Sequence, residues 1–462
     1  MKRGKATLTT ELWLPALIDG AGAKYQAIAD AIETAVATGR LRGGDRLPPQ
    51  RELASRLKVD LTTVTKAYDV ARQRGLIEAK GRLGSFVREP GDTSFAQLPQ
   101  VDTGMNMPPD LREGAIGKAI ADGTTALLRH SSGARLQYQP PGGALQDRIA
   151  GAELIAQICT ATVAEQTVLT AGGQNALHAI LASTLERGDA IACGRYVYSG
   201  LKALAARLGL RLVALPEMSA AALKEALRGE SIRALYLVPT NDNPTAHTLT
   251  AAAREALAET AVAAGLQIIE DDAYGLLAGD RLPTLTAFAA ANSWYVASTS
   301  KVISPALRVA FVRAPTVEAA LRLAVDVHET TIMPPPINAA LVSSWIRQGA
   351  LQTLVAEMRD EVRARRTVAG EALGDIAYAA HPDGYHLWIG IANGATGREL
   401  AEAMRGHDLQ IIPAGRFAVD DAPDDAIRVS LGGAADREGL ARGLRTLRGH
   451  LVSPARFNPV VA

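Results

Sequence analysis

Lys301 ends the run Ser298-Thr299-Ser300-Lys301, and Arg308 follows seven residues later in Pro305-Ala306-Leu307-Arg308. A lysine nitrogen is a nucleophile only after losing its proton, and burial beside other cations lowers its pKa enough for that near neutral pH. Such a lysine can condense with an aldehyde, while nearby hydroxyls and a guanidinium hold a phosphate. By itself, a lysine flanked by serines is more often a solvated loop residue.

The elements that would have to position it are legible upstream and downstream. Thr170-Ala171-Gly172-Gly173-Gln174-Asn175-Ala176 follows the apolar pair Val168-Leu169 and leads into helical spacing at Leu177, Ile180 and Leu181. A glycine turn entering a helix aims amides and the positive dipole end at an anion, which makes Gly173 and Gln174 candidate phosphate contacts. An ordinary strand-to-helix turn has the same pattern. Asn243, in Pro239-Thr240-Asn241-Asp242-Asn243-Pro244-Thr245, follows the buried-strand run Ala234-Leu235-Tyr236-Leu237-Val238. It therefore stands at a strand's carboxyl end, where open α/β sheets bind ligands, although Asn-Pro is also a common turn former. Gln267-Ile268-Ile269 likewise runs into Glu270-Asp271-Asp272-Ala273-Tyr274. Three carboxylates in a row usually mark a solvated loop, but at the end of a central strand one of them can pair with a protonated ring nitrogen. Ala426-Ile427-Arg428-Val429-Ser430-Leu431 alternates like a strand around Arg428, whose planar fork suits a carboxylate.

Taken in order, these elements resemble the fold-type I aminotransferases over about residues 110 to 455. The resemblance implies an α/β domain with a central, mostly parallel sheet, and pyridoxal 5'-phosphate carried on Lys301 as an internal aldimine. It assigns Asp271 to the pyridine nitrogen and Asn243 and Tyr274 to the phenolate oxygen. Tyr198, in Val197-Tyr198-Ser199-Gly200, would stack on the ring, with a core tyrosine as the plain alternative. Ser298, Arg308, Gly173 and Gln174 would surround the phosphate, and Arg428 would grip a substrate carboxylate. Relatives often carry serine or alanine at the place of Gly173, so no hydroxyl is available there. Tyr138, in Leu136-Gln137-Tyr138-Gln139-Pro140-Pro141-Gly142-Gly143, resembles a tyrosine that reaches the phosphate from a partner subunit. That implies a homodimer with shared sites; a surface turn tyrosine is the alternative.

At 462 residues the chain exceeds a one-domain prior, and its net charge of +1 conceals an asymmetry. Residues 1–90 carry 16 Lys and Arg against 10 Asp and Glu, a surplus of six, and the remaining 33 against 38 leave a deficit of five. A basic module ahead of an acidic one points to a nucleic-acid partner. Helical spacing at Ile28, Ala31, Ile32, Ala35 and Val36 ends at Gly39. A short helix over Leu47-Pro48-Pro49-Gln50-Arg51-Glu52-Leu53-Ala54 follows, and then a third with Asp60 as N-cap and Val64, Ala67, Tyr68 and Ala71 on one face. Two short helices and a tight turn make a helix-turn-helix. Leu76–Val87 reads as a hairpin with a basic tip at Arg82.

This stretch resembles the GntR-type winged helix, and its fusion to an aminotransferase-like domain resembles the MocR subgroup of GntR regulators. The implied partner is a double-stranded DNA operator. Asp60-Leu61 replaces the Ser-Arg of many relatives, which shifts the expected DNA contacts to Arg51, Thr62, Thr63, Lys66 and Arg82. A small helical domain used for oligomer contacts is the bland alternative. The expected organisation is a winged helix over 1–90, a linker over 91–112 rich in Pro, Gly, Asp and Gln, and an aminotransferase-like domain over 113–462. The expected function is transcriptional regulation that senses an amino compound through aldimine formation on Lys301. A working aminotransferase with an accessory DNA-binding domain is the alternative. Only Cys159 and Cys193 occur, no metal-ligand spacing is present, and neither a signal peptide nor a membrane-length apolar run is found, so a cytoplasmic protein is expected.

Overall fold

The computed structural model describes residues 13–14, 24–79, 84–87, 104–111, 114–130, 133–392, 394–407, 409–421, 425–433 and 436–452. It divides into two units, Met1–Asp102 and Thr103–Ala462.

In the first unit, helix α1 (Lys24–Ala37) is followed by α2 (Gln50–Leu57), α3 (Leu61–Gln73) and the strands β1 (Ile77–Ala79) and β2 (Ser85–Val87). The strands pair antiparallel with Ile77 opposite Val87. Ile28, Ile32, Leu47, Leu53, Val64, Tyr68, Ile77 and Val87 meet in one core, so all three helices and the hairpin share a single apolar centre. Asp60 caps α3 as the sequence implies, its carboxylate accepting from the Thr62 amide. Tyr68 brings a hydroxyl into the core and satisfies it on the Pro48 carbonyl at 2.7 Å, which ties α3 to the entry of α2.

The second unit is built on a seven-stranded sheet. Its strands are β3 (Thr167–Thr170), β4 (Ala190–Gly194), β5 (Arg211–Leu215), β6 (Ile232–Leu237), β7 (Gln267–Asp271), β8 (Ser293–Ser298) and β9 (Ala310–Arg313). The order across the sheet is β3-β9-β8-β7-β6-β4-β5. Neighbours from β8 to β5 run parallel, while β9 runs antiparallel to both β8 and β3. Strands buried on both faces need near-continuous apolar sequence, and β6 and β8 are buried along nearly their whole length. A second, antiparallel sheet joins β10 (His386–Gly390), β12 (Ala426–Ser430) and β11 (Gln410–Pro413), with β12 central.

One reversal decides where the site lies. Thr170, Asp271 and Ser298 close strands that point the same way, so they stand at one edge of the sheet. Because β9 runs backwards, its first residue, Ala310, pairs with both Ser298 and Thr170. Arg308, just before it, is thereby returned to the edge that Lys301 leaves.

The linker expected over 91–112 is corrected for its described part. Gly104–Leu111 belongs to the large unit, where the Pro108 carbonyl accepts from the Gly433 amide and Pro109 bridges Gly433. Its proline and glycine content reads locally as a linker, but the partners that order it lie hundreds of residues away in sequence. The wing tip, with Arg82, lies outside the described residues.

Tyr68→Phe should lower the stability of the N-terminal unit by about 1–3 kcal/mol, because the Pro48 carbonyl loses its donor inside the core. Urea unfolding of the full chain checks this through the midpoint of the first transition; an unmoved midpoint would refute it.

Candidate functional site

The three carboxylates after Ile269 separate by the pleat of β7. Glu270 accepts from the Leu285 and Thr286 amides and the Thr286 hydroxyl, so it anchors a neighbouring short helix. Asp272 accepts from the Tyr295 hydroxyl at 2.6 Å. Asp271 lies on the opposite face and accepts from the Tyr236 hydroxyl at 2.9 Å. Successive side chains on a strand alternate faces, so one carboxylate of the run is committed to the site and its neighbours to the scaffold. Burial pushes Asp271 up to about 6, with Asp272 adding to the rise and Tyr236 and Lys301 opposing it.

Lys301 leaves β8 through a turn whose backbone is fixed by the Tyr385 hydroxyl, which donates to the Lys301 carbonyl at 3.0 Å. Burial, reinforced by Arg428 and Arg308 and opposed by Asp271, brings its ammonium down to about 8. Its Nζ donates to the backbone carbonyl of Asn106 at 2.6 Å. The lysine thus sits between two guanidinium groups and one carboxylate, an arrangement that makes a usable nucleophile near neutral pH.

The phosphate cradle expected at Gly173 and Gln174 opens helix α4 (Gly173–Thr184), with Gly172 as its N-cap at φ +83°. The Arg308 guanidinium lies across this turn and donates to the Ala171 carbonyl at 2.6 Å. A Cβ on Gly172 would fall 2.9 Å from the guanidinium carbon, so only glycine lets the arginine and the helix entry come this close. Ser298, buried at the end of β8, lies behind Gly173, and its Oγ accepts from the Ser300 amide at 3.2 Å. Amides at a helix entry, a guanidinium and a hydroxyl are a donor set that fits a phosphate. Tyr198 stands at the entry of α5 (Ser199–Leu208), and its hydroxyl is raised to about 12 by burial, with Asp271 adding and Arg308 opposing.

Arg428, central in β12 and 1% exposed, donates to Asn243 Oδ1 at 2.9 Å and to the Gly104 carbonyl at 2.8 Å. Its guanidinium also lies 5.1 Å from the Phe417 ring centre. Tyr274 is buried, and its hydroxyl accepts from Asn106 Nδ2 at 3.0 Å. The structure therefore brings Lys301, Asp271, Tyr274, Asn243, Arg428, Tyr198, Arg308, Ser298, Gly173 and Gln174 to one edge of the large sheet. Tyr138 is 81% exposed.

Four participants fall outside the sequence reading, and three of them have no local signal at all. Asn106 binds Tyr274, lies 3.2 Å from His386 Nδ1 and accepts from the Ser430 hydroxyl at 2.8 Å. His386 Nε2 is 2.9 Å from the Asp242 carbonyl, which can only accept, so Nε2 carries the proton and Nδ1 faces the amide. Burial pushes this histidine down to about 3, which keeps it neutral. Tyr385 is hidden in the same way. Tyr236 alone offered a hint, as a polar-tipped residue inside an apolar strand run.

In the N-terminal unit, Arg51 opens α2 and is exposed, as are Thr62 and Lys66 on the solvent face of α3, while Thr63 is half-buried. The Thr62 hydroxyl is occupied by Asp60 at 2.6 Å, and the Lys66 ammonium lies 4.2 Å from the Tyr25 ring centre.

Residues 100–447 match the family "Aminotransferase class I and II", and residues 24–87 match "Bacterial regulatory proteins, gntR family". The chain is 28% identical to the HTH-type transcriptional regulator YdeF of Bacillus subtilis over 94% of its own length and 96% of the relative's. It is 27% identical to the HTH-type pyridoxine biosynthesis transcriptional regulator PdxR of Corynebacterium glutamicum, covering 76% of this chain and 78% of that one. Among solved structures, the α-aminoadipate aminotransferase LysN of Thermus thermophilus, complexed with N-(5'-phosphopyridoxyl)-L-leucine, superposes with a TM-score of 0.68. That match is 27% identical and covers 75% of this chain and 91% of that one.

Competitive acetylation of the cofactor-free protein with peptide mapping should give Lys301 a titration midpoint near about 8, against the ordinary lysine value of about 10.4. Asp271→Asn removes the one opposing negative charge and should move that midpoint lower still. A Lys301 midpoint at the ordinary value would show that neither burial nor the neighbouring cations act on it.

Proposed function

The chain belongs to the aminotransferase class I and II family and carries a gntR-family module ahead of it, and on that premise we propose a transcriptional regulator of the MocR type. It reads a small amino compound in the large unit and answers through operator DNA bound by the winged helix. The observation that carries this reading is the convergence of Lys301, Asp271, Arg308 and Arg428 at one sheet edge, in a chain that also folds a helix-turn-helix.

Family membership implies pyridoxal 5'-phosphate, and the donor set at Gly172, Gly173, Ser298 and Arg308 fits its phosphate. When bound, the cofactor supplies an aldehyde for covalent capture of an amine and a ring that withdraws electrons. Lys301 supplies the nitrogen that holds it and can take up or release a proton near neutral pH. Asp271, held by Tyr236, keeps a negative charge for the ring nitrogen. Tyr198 presents a flat face to the ring, and Asn243 and Tyr274 orient its oxygen. Arg428 offers the amino compound's carboxylate a rigid fork, pre-aimed by Asn243 and Gly104. Tyr138 reaches toward a second copy of the chain; its exposure supports a homodimer with shared sites. Arg51, Thr63, Lys66 and Arg82 supply the expected DNA contacts, with Thr62 acting mainly through the helix cap. A chromosomal operator places the protein in the cytoplasm.

The second reading, a working aminotransferase, is favoured by the match to nearly the whole of LysN. Titrating the purified protein on its own upstream DNA, with and without cofactor and an amino-acid panel, separates the two. A regulator changes DNA affinity with little sustained keto-acid release; rapid release without any effect on DNA would establish the enzyme. Arg428→Ala should weaken the effective amino acid by about tenfold to a hundredfold, the loss of a charge-assisted bond, while the cofactor stays bound.

Arg51→Ala should weaken operator binding by about tenfold and flatten the salt dependence by about 0.9 in slope, the share of one phosphate contact. Unchanged gel-shift titrations would remove Arg51 from the interface.

A further inference from the structure

The segment that enters the large unit at Gly104–Asn106 is gripped by two of the site's three cations. Arg428 donates to the Gly104 carbonyl at 2.8 Å, and Lys301 donates to the Asn106 carbonyl at 2.6 Å. These residues come directly after the division between Asp102 and Thr103, so they are the first of the large unit that the chain reaches from the winged helix. Gly104 and Asn106 thus take part in the ligand site and lie, in sequence, close to the division between the units. The Asn106 side chain, bound to Tyr274 and Ser430 and facing His386, holds the carbonyl in place as a positioning residue.

We propose that the Asn106 carbonyl is a latch on this segment, closed by the free amine of Lys301 and opened when that nitrogen is covalently engaged. A free lysine nitrogen carries two or three hydrogens to donate. Condensation with an aldehyde forms a carbon–nitrogen double bond and expels water, which takes the aldehyde oxygen and two amine hydrogens. The nitrogen then keeps one hydrogen when protonated and none otherwise, and its remaining geometry is set by the double bond. An incoming primary amine that exchanges into that bond passes its own two hydrogens to Lys301, which becomes a free amine again. The latch is therefore closed without cofactor, open with cofactor alone, and closed again when an amino compound has displaced the lysine. This gives the regulator proposed above a route by which the arrival of its ligand alters the tether, and its consequence for DNA rests on that reading.

Hydrogen–deuterium exchange of the full chain tests the latch without DNA. The amides of Met105–Met107 should exchange about tenfold faster once pyridoxal 5'-phosphate is added, the effect of losing one charge-assisted bond. Adding aminooxyacetate, which captures the cofactor's aldehyde and frees the lysine, should restore protection. Lys301→Met, similar in size but without a donor, should exchange fast in all three conditions. Exchange that stays unchanged in the wild type while absorbance shows the cofactor bound would overturn the latch, as would Lys301→Met at the protected level. Because this readout contains no DNA, it can fail while operator binding still responds to the amino acid, and it can succeed where that response is missing.

Discussion

Everything in the large unit turns on the electrostatic balance around one buried lysine. Burial makes its charged form costly, Arg428 and Arg308 add to that cost, and Asp271 offsets part of it, which leaves the nitrogen near the point of deprotonation. Without Asp271 three cations would face one another, and without the arginines burial alone would still disfavour the ammonium, though less strongly. The two arginines reach the lysine from different directions: Arg308 through the reversed strand β9, and Arg428 from the middle of the small sheet. The need to bring them together constrains both sheets at once.

The cost of burying these charges is met by a polar network. Arg428 spends its terminal nitrogens on Asn243 and Gly104, Asp271 takes the Tyr236 hydroxyl, and Asn106 joins Tyr274, His386 and Ser430. Buried polar groups of this kind are tolerable only when each finds a partner, and in finding one they fix the side chains in place. A neutral His386 is part of the same economy, since a third cation beside Lys301 and Arg428 would upset the balance. The network also draws Gly104–Asn106 out of the connecting chain and into the site.

The N-terminal unit follows a simpler rule. Its apolar face is defined by local helical spacing, and Ile28, Ile32, Val64, Ala67 and Ala71 are buried as that spacing requires. The polar face left over carries Arg51 and Lys66.

What the sequence by itself determined was whatever is encoded by neighbours in the chain. The three helices and hairpin, the Asp60 cap, the glycine entry to α4, and the strands that lead to Asn243, Asp271 and Lys301 all rest on spacing within a dozen or so residues. The order of those motifs then implied the family and its cofactor. The family resemblance singled out Asp271 of Glu270-Asp271-Asp272; tertiary structure decided the partner of each carboxylate, Thr286 for Glu270, Tyr236 for Asp271 and Tyr295 for Asp272. It decided that Asn106 belongs to the site, since the segment's composition is that of a linker and its partners are Tyr274, Lys301, His386 and Ser430. It also decided that His386 is neutral, a consequence of burial next to two cations that no stretch of its own strand records. Local propensity is written in short-range pattern, whereas burial, charge balance and hydrogen-bond partnership exist only after distant segments have been brought together.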